Sequence, residues 1–540
     1  MEKYLLHHLL EENARKFPDR VAIVSGKLSM DYRELDHKSS KISSALKSMG
    51  IITGDRIGIY MDKSIESLVF LFGILKAGAA YVPIDTLAPQ NRIEYVVNNC
   101  SVRIIFTSSD MASNLISLFG KGHSLKKIII SGVSTTISHN QYGDCTIFYA
   151  EELYNKSEDD RKRYDCSDTN SAYILHTSGS TGMPKGVGIS HLNSLTFVNM
   201  AADFFRISKE DRFACHSPLQ FDLTVFDIFV AIKRGATIVL VPSKLSVFPM
   251  KLAQFIDEEK ITVWNSVSSV LSLLAEHGRM ERFRYESLKT VIFSGDILPV
   301  KYIRKLKNIV PQARFYNVYG QTEANSSIVH QVTDIPEEEG WRIPIGKAFP
   351  NFEVYALTDD NEIVTRPGQI GELYIRSSSV AFGYWHDETK TAESFVTDPR
   401  SSLANRKVYR TGDLVTLDEN DDYLFLGRKD QQVKSRGYRI QLNEIEAILN
   451  NHPGIKEAVV VAVPDELTGN RVISHVSTIN GIEVTELEIF NYCNKTLPSY
   501  MLPEKIFFHD TLPKTPTGKI DRKLLRESQA GATHDDTELS

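Results

Sequence analysis

The sequence predicts a large α/β protein built from more than one packed unit. The chain has 540 residues, well above the size of one ordinary domain. Short β-branched runs alternate with stretches of helical periodicity, and nearly continuous apolar strands of this kind are typical of parallel sheets covered by helices. Because 42% of the residues are hydrophobic and 24% are charged, the chain can also bury a large core.

The first two thirds of the chain predict layered α/β units. The N-terminus predicts a helix, because Leu5, Leu6, Leu9 and Leu10 share one side. The strands and helices that follow are bounded by turn residues. The predicted strands are Arg103–Thr107, Lys127–Ser131, Ala236–Val241, Thr290–Ser294 and Val354–Leu357, and the predicted helices are Ser64–Lys76, Met250–Glu259 and Val300–Ile309.

The pattern changes twice toward the C-terminus. From about Gly368 it favours hairpins, which predicts a β-rich subdomain at the end of the large unit. After Asp430 it predicts a small α+β unit with helices at Asn443–Asn450 and Thr485–Thr496. We therefore predict a large N-terminal domain at 1–429, a small C-terminal domain at 430–527 and a polar, disordered tail at 528–540.

Charge and cysteine usage exclude several classes of protein. The formal net charge is −6 and the sequence pI is near 6.2, which argues against a nucleic-acid binder or a polybasic membrane protein. Five widely spaced cysteines form no C-x-x-C pair, so we expect neither a zinc cluster nor a disulfide scaffold. The most apolar run, from Ser67, contains Lys76 and is too short to span a bilayer. Together these features predict a soluble cytoplasmic protein.

One segment, Tyr173–Val187, has a composition that suits phosphate binding. It runs from an apolar strand into a loop with four hydroxyl side chains, three glycines and Lys185. Glycines let backbone N–H groups approach a phosphate, and hydroxyls and a lysine add donors and positive charge. The spacing does not match a Walker A loop. From composition alone, a flexible surface turn is an equally good interpretation.

The full string TSGSTGMPKGV closely resembles the phosphate loop of the adenylate-forming superfamily. Landmarks of the amino-acid-activating branch, the adenylation domains of nonribosomal peptide synthetases (NRPS), follow in order, and the resemblance runs from about residue 8 to 526. They are KAGAAYVPID at 76–85, FDLTVFD at 221–227, NVYGQTE at 317–323, GELYI at 371–375, YRTGD at 409–413, GRKDQQVKSRG at 427–437, LPSYM at 497–501 and PTGKID at 516–521.

This resemblance implies that a carboxylate is joined to the α-phosphate of ATP and then passed to a thiol. It implies that Lys519 supplies the catalytic charge, that Thr322 contacts phosphate and that Glu323 holds Mg²⁺. Asp413 and Arg428 are expected at the ribose, and Asn317 and Tyr319 at the adenine. The implied ATP-binding set is completed by Thr177, Ser178, Gly179, Ser180, Thr181, Gly182, Lys185, Gly295, Asp296, Val318 and Gly320.

Asp222 is the residue that points to an amino acid as the substrate. By resemblance it pairs with the substrate α-ammonium, although an aspartate at this place is also a candidate helix N-cap. The rest of the implied pocket has no charged side chain except Lys519, which predicts a small amino acid: alanine is favoured, and serine, cysteine and glycine are possible. That pocket comprises Leu223, Phe226, Asn265, Ile292, Ser294, Val318, Ser326 and Ser327.

Three further expectations follow from the resemblance. Asp430 is the implied hinge about which the small domain moves between the half-reactions. No carrier domain follows Leu525, so we expect a freestanding enzyme that loads the phosphopantetheine thiol of a separate carrier protein. Arg436 and Arg439 are candidate carrier contacts or part of a solvated charged face. A D-alanine–carrier protein ligase, an acyl-CoA ligase using free CoA and an inactive binding homologue are the alternatives.

Overall fold

A computed structural model describes residues 4–118, 124–132, 145–156, 166–179, 183–338, 341–403, 406–479, 482–515 and 520–530. Its helices are α1 Leu6–Lys16, α2 Tyr32–Ser48, α3 Ile65–Lys76, α4 Gln90–Asn99, α5 Ser109–Leu118, α6 Ala150–Lys156, α7 His191–Phe204, α8 Leu223–Val225, α9 Ala231–Arg234, α10 Pro249–Glu258, α11 Ser268–His277, α12 Val300–Ile309, α13 Glu388–Ser394, α14 Leu442–Asn450, α15 Glu486–Asn494 and α16 Arg522–Ala530. A π-helical turn, Phe226–Val230, joins α8 to α9.

The strands alternate with these helices over most of the chain. They are β1 Val21–Ser25, β2 Leu28–Asp31, β3 Arg56–Tyr60, β4 Ala80–Pro83, β5 Ile104–Ser108, β6 Lys127–Ser131, β7 Thr146–Tyr149, β8 Ser171–Thr177, β9 Lys185–Ser190, β10 Arg212–Cys215, β11 Thr237–Leu240, β12 Val263–Val267, β13 Thr290–Ser294, β14 Arg314–Gln321, β15 Asn325–Gln331, β16 Lys347–Ala348, β17 Glu353–Leu357, β18 Gly371–Arg376, β19 Gly383–Tyr384, β20 Phe395–Thr397, β21 Lys407–Leu417, β22 Tyr423–Arg428, β23 Gln432–Ser435, β24 Tyr438–Gln441, β25 Ile455–Asp465, β26 Gly469–Thr478 and β27 Lys505–His509.

Two large, mainly parallel sheets form the body of the protein. Within the described residues, one sheet has the order β16-β15-β14-β13-β12-β10-β11-β1-β2 and the other has the order β19-β9-β8-β4-β3-β5-β6-β7. A smaller antiparallel sheet, β17-β18-β21-β20 with β22 on β21, follows them in the chain. This arrangement confirms the predicted α/β class with layered units and a β-rich subdomain.

Helix α3 shows how the sequence builds the core between the layers. A capping box at Ser64 and Ser67 starts the helix, and every residue from Ser67 to its last residue, Lys76, is buried. Phe70 stacks on Phe106 with ring centroids 4.2 Å apart. Lys76 stays buried because its ammonium donates to the Asp36 carboxylate at 2.6 Å.

The small C-terminal unit is built on the sheet β25-β26-β27, against which α14 packs. Ahead of it, β23 and β24 form a separate hairpin. An ion pair between Arg92 on α4 and Glu444 on α14 connects this unit to the body, and both side chains are at least 95% buried. The predicted boundary at 429/430 falls between β22 and this hairpin and stays a prediction.

Most predicted elements appear within one residue of their expected bounds. Lys127–Ser131, Thr290–Ser294 and Val300–Ile309 match the structure. The C-terminal helix is longer than predicted. Helix α16 ends at Ala530, whereas the predicted disordered tail begins at Ser528. Leu525 is buried and good helix formers follow it, which explains the extra turn. Across the described ranges, no helix combines the length and apolar character that crossing a bilayer requires.

The packing of α3 gives a prediction about stability. We expect Phe70→Ala to lower the free energy of unfolding by about 3–5 kcal/mol, because it removes a fully buried ring and leaves a cavity. Phe248→Ala is the matched control, since that ring is 52% exposed, and it should change the free energy by less than about 0.5 kcal/mol. Urea unfolding followed by far-ultraviolet circular dichroism measures both, and equal effects would contradict the assignment of α3 to the core.

Candidate active site

A cavity of about 800 Å³ lies at the carboxyl ends of the parallel strands β12 and β13, beside the end of β14. This is the edge at which α/β sheets commonly bind ligands. Hairpin β23–β24 supplies part of its wall. The cavity brings together these predicted residues: Thr177, Ser178, Asp222, Leu223, Phe226, Asn265, Ile292, Ser294, Gly295, Asp296, Asn317, Val318, Tyr319, Gly320, Thr322, Ser326, Asp413, Arg428 and Asp430.

The remaining predicted residues either do not line the cavity or are not described by the structure. Ser327 does not line the cavity, because its side chain is buried and its hydroxyl donates to the carbonyls of Ala324 and Asn325. Of the two candidate serines, Ser326 is therefore the one at the wall. Gly179, Lys185 and Glu323 are also absent from the lining. Ser180, Thr181, Gly182 and the predicted catalytic Lys519 lie outside the described residues.

Asp413 is the centre of a hydrogen-bonded cluster at one end of the cavity. Its carboxylate accepts from the Tyr319 hydroxyl, from the Gln321 amide at 2.6 Å and from the Arg428 guanidinium at 2.5 Å. Gln321 also accepts from the Tyr409 hydroxyl. The family pattern has proline at position 321, so the sequence resemblance gave no signal that this amide would orient Asp413.

The adjoining wall offers groups that suit a nucleotide. Asn317 donates its amide hydrogen to the Pro344 carbonyl at 2.7 Å, which leaves its carbonyl oxygen as an acceptor. The Thr177 hydroxyl and the Asp296 Oδ2 atom are buried without a hydrogen-bond partner among the described residues. Burial raises the pKa of Asp296 to about 6. Unpartnered buried polar atoms of this kind are rare, and a polar ligand in the cavity would satisfy them.

Asp222 lies in the same cavity and accepts a hydrogen bond from Thr322. The distance from the Thr322 hydroxyl to Asp222 Oδ2 is 2.9 Å. Asp222 stands at the N-cap position of the short helix α8, but its side chain makes no capping hydrogen bond and is left to face the cavity. Burial raises the pKa of Asp222, while Thr322 and the nearby Lys434 act in the opposite direction. A buried carboxylate of this kind is stabilised by a cation, which a substrate ammonium would supply.

Near Asp222 the cavity is lined by the apolar Phe226, Ile292 and Val318 and by Asn265, whose partner Asp227 is buried outside the lining. Phe226 packs edge-on against Phe205, and its ring is buried. Asn265 donates to Asp227 Oδ1 at 3.0 Å. Burial raises the pKa of Asp227 to about 8, against the opposing effect of that hydrogen bond, so this carboxyl is neutral near pH 7.

Glu323 is buried in a cluster of cations and does not contact the cavity. Arg439 Nη1 lies 3.0 Å from Oε1 and 2.9 Å from Oε2 of the carboxylate. Lys185 lies 3.3 Å from Oε1, and the Tyr384 hydroxyl donates to the same oxygen at 2.8 Å. Burial would raise the pKa of Glu323, but the charges of Arg439 and Lys185 hold it well below its usual range.

This arrangement does not fit the implied Mg²⁺ site. Both oxygens of Glu323 are already engaged, and two positive side chains would repel a divalent cation placed beside them. Among the described residues, no group of three or more histidine, cysteine or acidic side chains is arranged to hold a metal ion.

Known proteins are similar to this chain over nearly its whole length. Tyrocidine synthase 1 of Brevibacillus parabrevis is 32% identical over 97% of this chain and 45% of its own length. The L-proline--[L-prolyl-carrier protein] ligase of Pseudomonas fluorescens is 30% identical over 98% of this chain and 100% of its own length. The structure of holo-PA1221, an NRPS protein containing adenylation and PCP domains, covers 96% of this chain and 84% of its own, with 26% identity and a TM-score of 0.79.

The fold and the matched ranges define the class of protein. Residues 10–385 match the AMP-binding enzyme family and residues 444–519 match the AMP-binding enzyme C-terminal domain. The chain therefore belongs to the AMP-binding enzyme family, and within it to the adenylation domains of the NRPS type, which confirms the resemblance. It spans about half the length of several curated relatives that it matches.

The buried Asp227 carboxyl gives a prediction about pH. Because its pKa is raised from 3.8 to about 8, the folded protein keeps a proton that the unfolded chain has lost. The free energy of unfolding should fall by about 1.4 kcal/mol per pH unit across that range and level off above it. We expect Asp227→Asn to remove this slope, as measured by urea unfolding at several pH values. The exposed control Asp360→Asn should retain it, and an unchanged slope in Asp227→Asn would contradict the neutral form.

Proposed function

We propose that the chain activates a small amino acid with ATP and transfers it to the phosphopantetheine thiol of a separate carrier protein. The observation that carries this proposal is a single cavity with the Asp413 cluster at one end and the Asp222 carboxylate in its wall. A nucleotide and an ammonium-bearing acid are the two ligands that these groups suit. The L-proline--[L-prolyl-carrier protein] ligase, which this chain matches over the full length of that relative, supports transfer of the amino acid to a carrier protein.

The first half-reaction joins the two ligands. A carboxylate oxygen of the amino acid attacks the α-phosphorus of ATP, the bond to the bridging oxygen breaks, and pyrophosphate leaves with that electron pair. Asp222 holds the α-ammonium, and Asp413 accepts from the ribose hydroxyls. Lys519 is proposed to offset the negative charge that develops as the two anions meet. Mg²⁺ stays a proposed cofactor, although Glu323 as placed here does not fit it.

The second half-reaction passes the acyl group to the carrier. The thiol loses its proton to solvent, its sulfur attacks the carbonyl carbon of the aminoacyl-AMP, and the bond to AMP breaks. Asp430 is the proposed hinge between the domains 1–429 and 430–527. Its carboxylate pairs with the Arg428 guanidinium at 2.7 Å and 3.0 Å, and Arg428 also binds Asp413. A change in the backbone conformation at Asp430 would therefore alter the pairing of Arg428 with Asp413 at the proposed ribose end of the cavity.

We propose alanine as the favoured substrate. Phe226, Ile292 and Val318 make an apolar wall, and the neutral Asn265–Asp227 pair offers no charge to a charged side chain. Serine, cysteine and glycine differ from alanine by a single group, which is worth about 1–3 kcal/mol in a pocket of this type. A D-alanine ligase would use the same reaction with opposite stereochemistry. An acyl-CoA ligase for simple acids would not need Asp222.

Amino-acid-dependent ATP–pyrophosphate exchange tests the proposal. The panel contains the common amino acids, proline and both enantiomers of alanine, and each active acid is then offered free CoA or a holo-carrier protein as acceptor. Exchange with one small L-amino acid and transfer to the carrier supports the proposal. A D-alanine maximum identifies the alternative ligase, transfer to CoA identifies an acyl-CoA ligase, and no exchange with any acid overturns the assignment.

The role of Asp222 gives a prediction about specificity. Asp222→Asn keeps an acceptor for the Thr322 hydroxyl but removes the charge that binds the α-ammonium. A charge-assisted hydrogen bond is worth about 1.5–3 kcal/mol, so we expect kcat/KM for the amino acid to fall roughly 10- to 100-fold. The KM for ATP should stay within about twofold. Equal losses for both substrates would show a general defect and not loss of the ammonium site.

Lys519 gives the prediction for the chemical step. We expect Lys519→Ala to lower the rate of adenylate formation by orders of magnitude, since it removes the charge that meets both anions in the transition state. ATP binding, measured by isothermal titration calorimetry, should weaken only modestly. Lys514→Ala is the matched control from the same segment, because Lys514 already pairs with Glu457. An unchanged rate in Lys519→Ala would overturn its catalytic assignment.

A further inference from the structure

We propose that Gln321 and Tyr409 are positioning residues that leave the Asp413 carboxylate a single free acceptor site, so that this chain binds its nucleotide through one ribose hydroxyl and not both. This inference rests on the proposed function, and it narrows the proposed role of Asp413 from the ribose hydroxyls together to one of them. The residue that carries it, Gln321, stands where the family pattern has proline.

Three side chains of the protein occupy most of the acceptor sites of the Asp413 carboxylate. Oδ2 accepts from the Tyr319 hydroxyl and from the Gln321 amide at 2.6 Å, and Oδ1 accepts from Arg428 Nη1 at 2.5 Å. An ionised carboxylate has about four lone-pair sites, two on each oxygen. Both sites on Oδ2 are therefore filled, and one site on Oδ1 stays for a ligand that enters the cavity.

The amide of Gln321 is fixed in the orientation that fills Oδ2. Its nitrogen donates to the Thr411 carbonyl at 3.2 Å as well as to Asp413, so both amide hydrogens are used. Its oxygen accepts from the Tyr409 hydroxyl. The amide cannot turn its oxygen toward Asp413 without losing these hydrogen bonds and placing that oxygen against a carboxylate.

Tyr409 acts on the cavity from outside it. Its side chain is 2% exposed and does not line the cavity, whereas Gln321 does. Tyr409, Thr411 and Asp413 alternate along β21 and are all buried, so one strand supplies all three partners of the Gln321 amide. A hydroxyl that reaches the nucleotide site only through Gln321 can affect ligand binding by positioning and not by contact.

Deoxynucleotides test the single-hydroxyl arrangement directly. Isothermal titration calorimetry gives the Kd of the whole chain for ATP, 2′-deoxyATP and 3′-deoxyATP, each with Mg²⁺ and without an amino acid. We expect one deoxynucleotide to bind roughly 10- to 100-fold more weakly than ATP, because it lacks the hydroxyl that donates to Oδ1. The other should bind within about threefold of ATP, since its missing hydroxyl has no acceptor site on Asp413.

Variants then assign this selectivity to Gln321 and Tyr409. Gln321→Met keeps the side-chain length but empties one site on Oδ2, which opens to the cavity because Gln321 lines it. The second hydroxyl then gains an acceptor, so we expect the ratio of the two deoxynucleotide Kd values to fall roughly fivefold or more. Tyr409→Phe should lower the ratio by less, and it should add nothing in the Gln321→Met background.

Tyr355→Phe is the matched control for Tyr409→Phe. Tyr355 lies in the same antiparallel sheet, is also buried, and donates its hydroxyl to Asp398 at 2.8 Å, away from the cavity. This variant should keep the Kd ratio of the parent protein. The ratio compares two ligands on one protein sample, so a fraction of misfolded protein does not change it.

Equal weakening by both deoxynucleotides in the parent protein, or weakening by neither, would overturn the inference. A parental Kd ratio in Gln321→Met, or a loss in Tyr355→Phe as large as that in Tyr409→Phe, would also overturn it. Absence of ATP binding would overturn both the inference and the nucleotide end of the cavity. If ATP binds through one hydroxyl while no amino acid supports pyrophosphate exchange, the proposed function fails and the role of Gln321 stands.

Discussion

The structure depends on how one buried carboxylate, Glu323, is kept charged. It lies two residues after the end of β14, in the segment that also supplies Tyr319 and Thr322 to the cavity. A buried carboxylate needs positive partners, and here they come from Lys185 in the body and Arg439 in the hairpin. Arg439 belongs to the C-terminal part of the chain. The charge that stabilises Glu323 therefore depends on where the C-terminal unit is placed.

Several carboxylates line the cavity, and the protein supplies hydrogen-bond donors and positive charge to only some of them. Asp413 is held by Tyr319, Gln321 and Arg428, whereas Asp222 has the neutral Thr322 hydroxyl as its hydrogen-bond donor. This difference suits their proposed roles, since a ribose brings neutral hydroxyls and an amino acid brings a full positive charge. The site is thus prearranged for two ligands of different charge, which is what an enzyme that condenses them requires.

Local patterns in the sequence predicted the elements well, and motifs predicted which of them form the cavity. The apolar run Thr290–Ser294 and the periodic Val300–Ile309 are specified by nearby residues, so their bounds could be read directly. The pairing of Arg439 with Glu323 could not be predicted in this way, because no local sequence pattern indicates a contact between residues 116 positions apart. The roles of Gln321 and Ser327 were missed for a related reason: they depend on which face of β14 or β15 meets the cavity, and the register shift between these strands is not visible in the sequence.

The proposed transfer is tested by the intact mass of a holo-carrier protein after incubation with this chain, ATP and the amino acid that gives the strongest exchange. An amino acid–carrier protein ligase should give a mass increase equal to one aminoacyl group, dependent on ATP and reversed by thioester cleavage with hydroxylamine. A carrier that stays unmodified while the same amino acid is converted to its CoA thioester would contradict it.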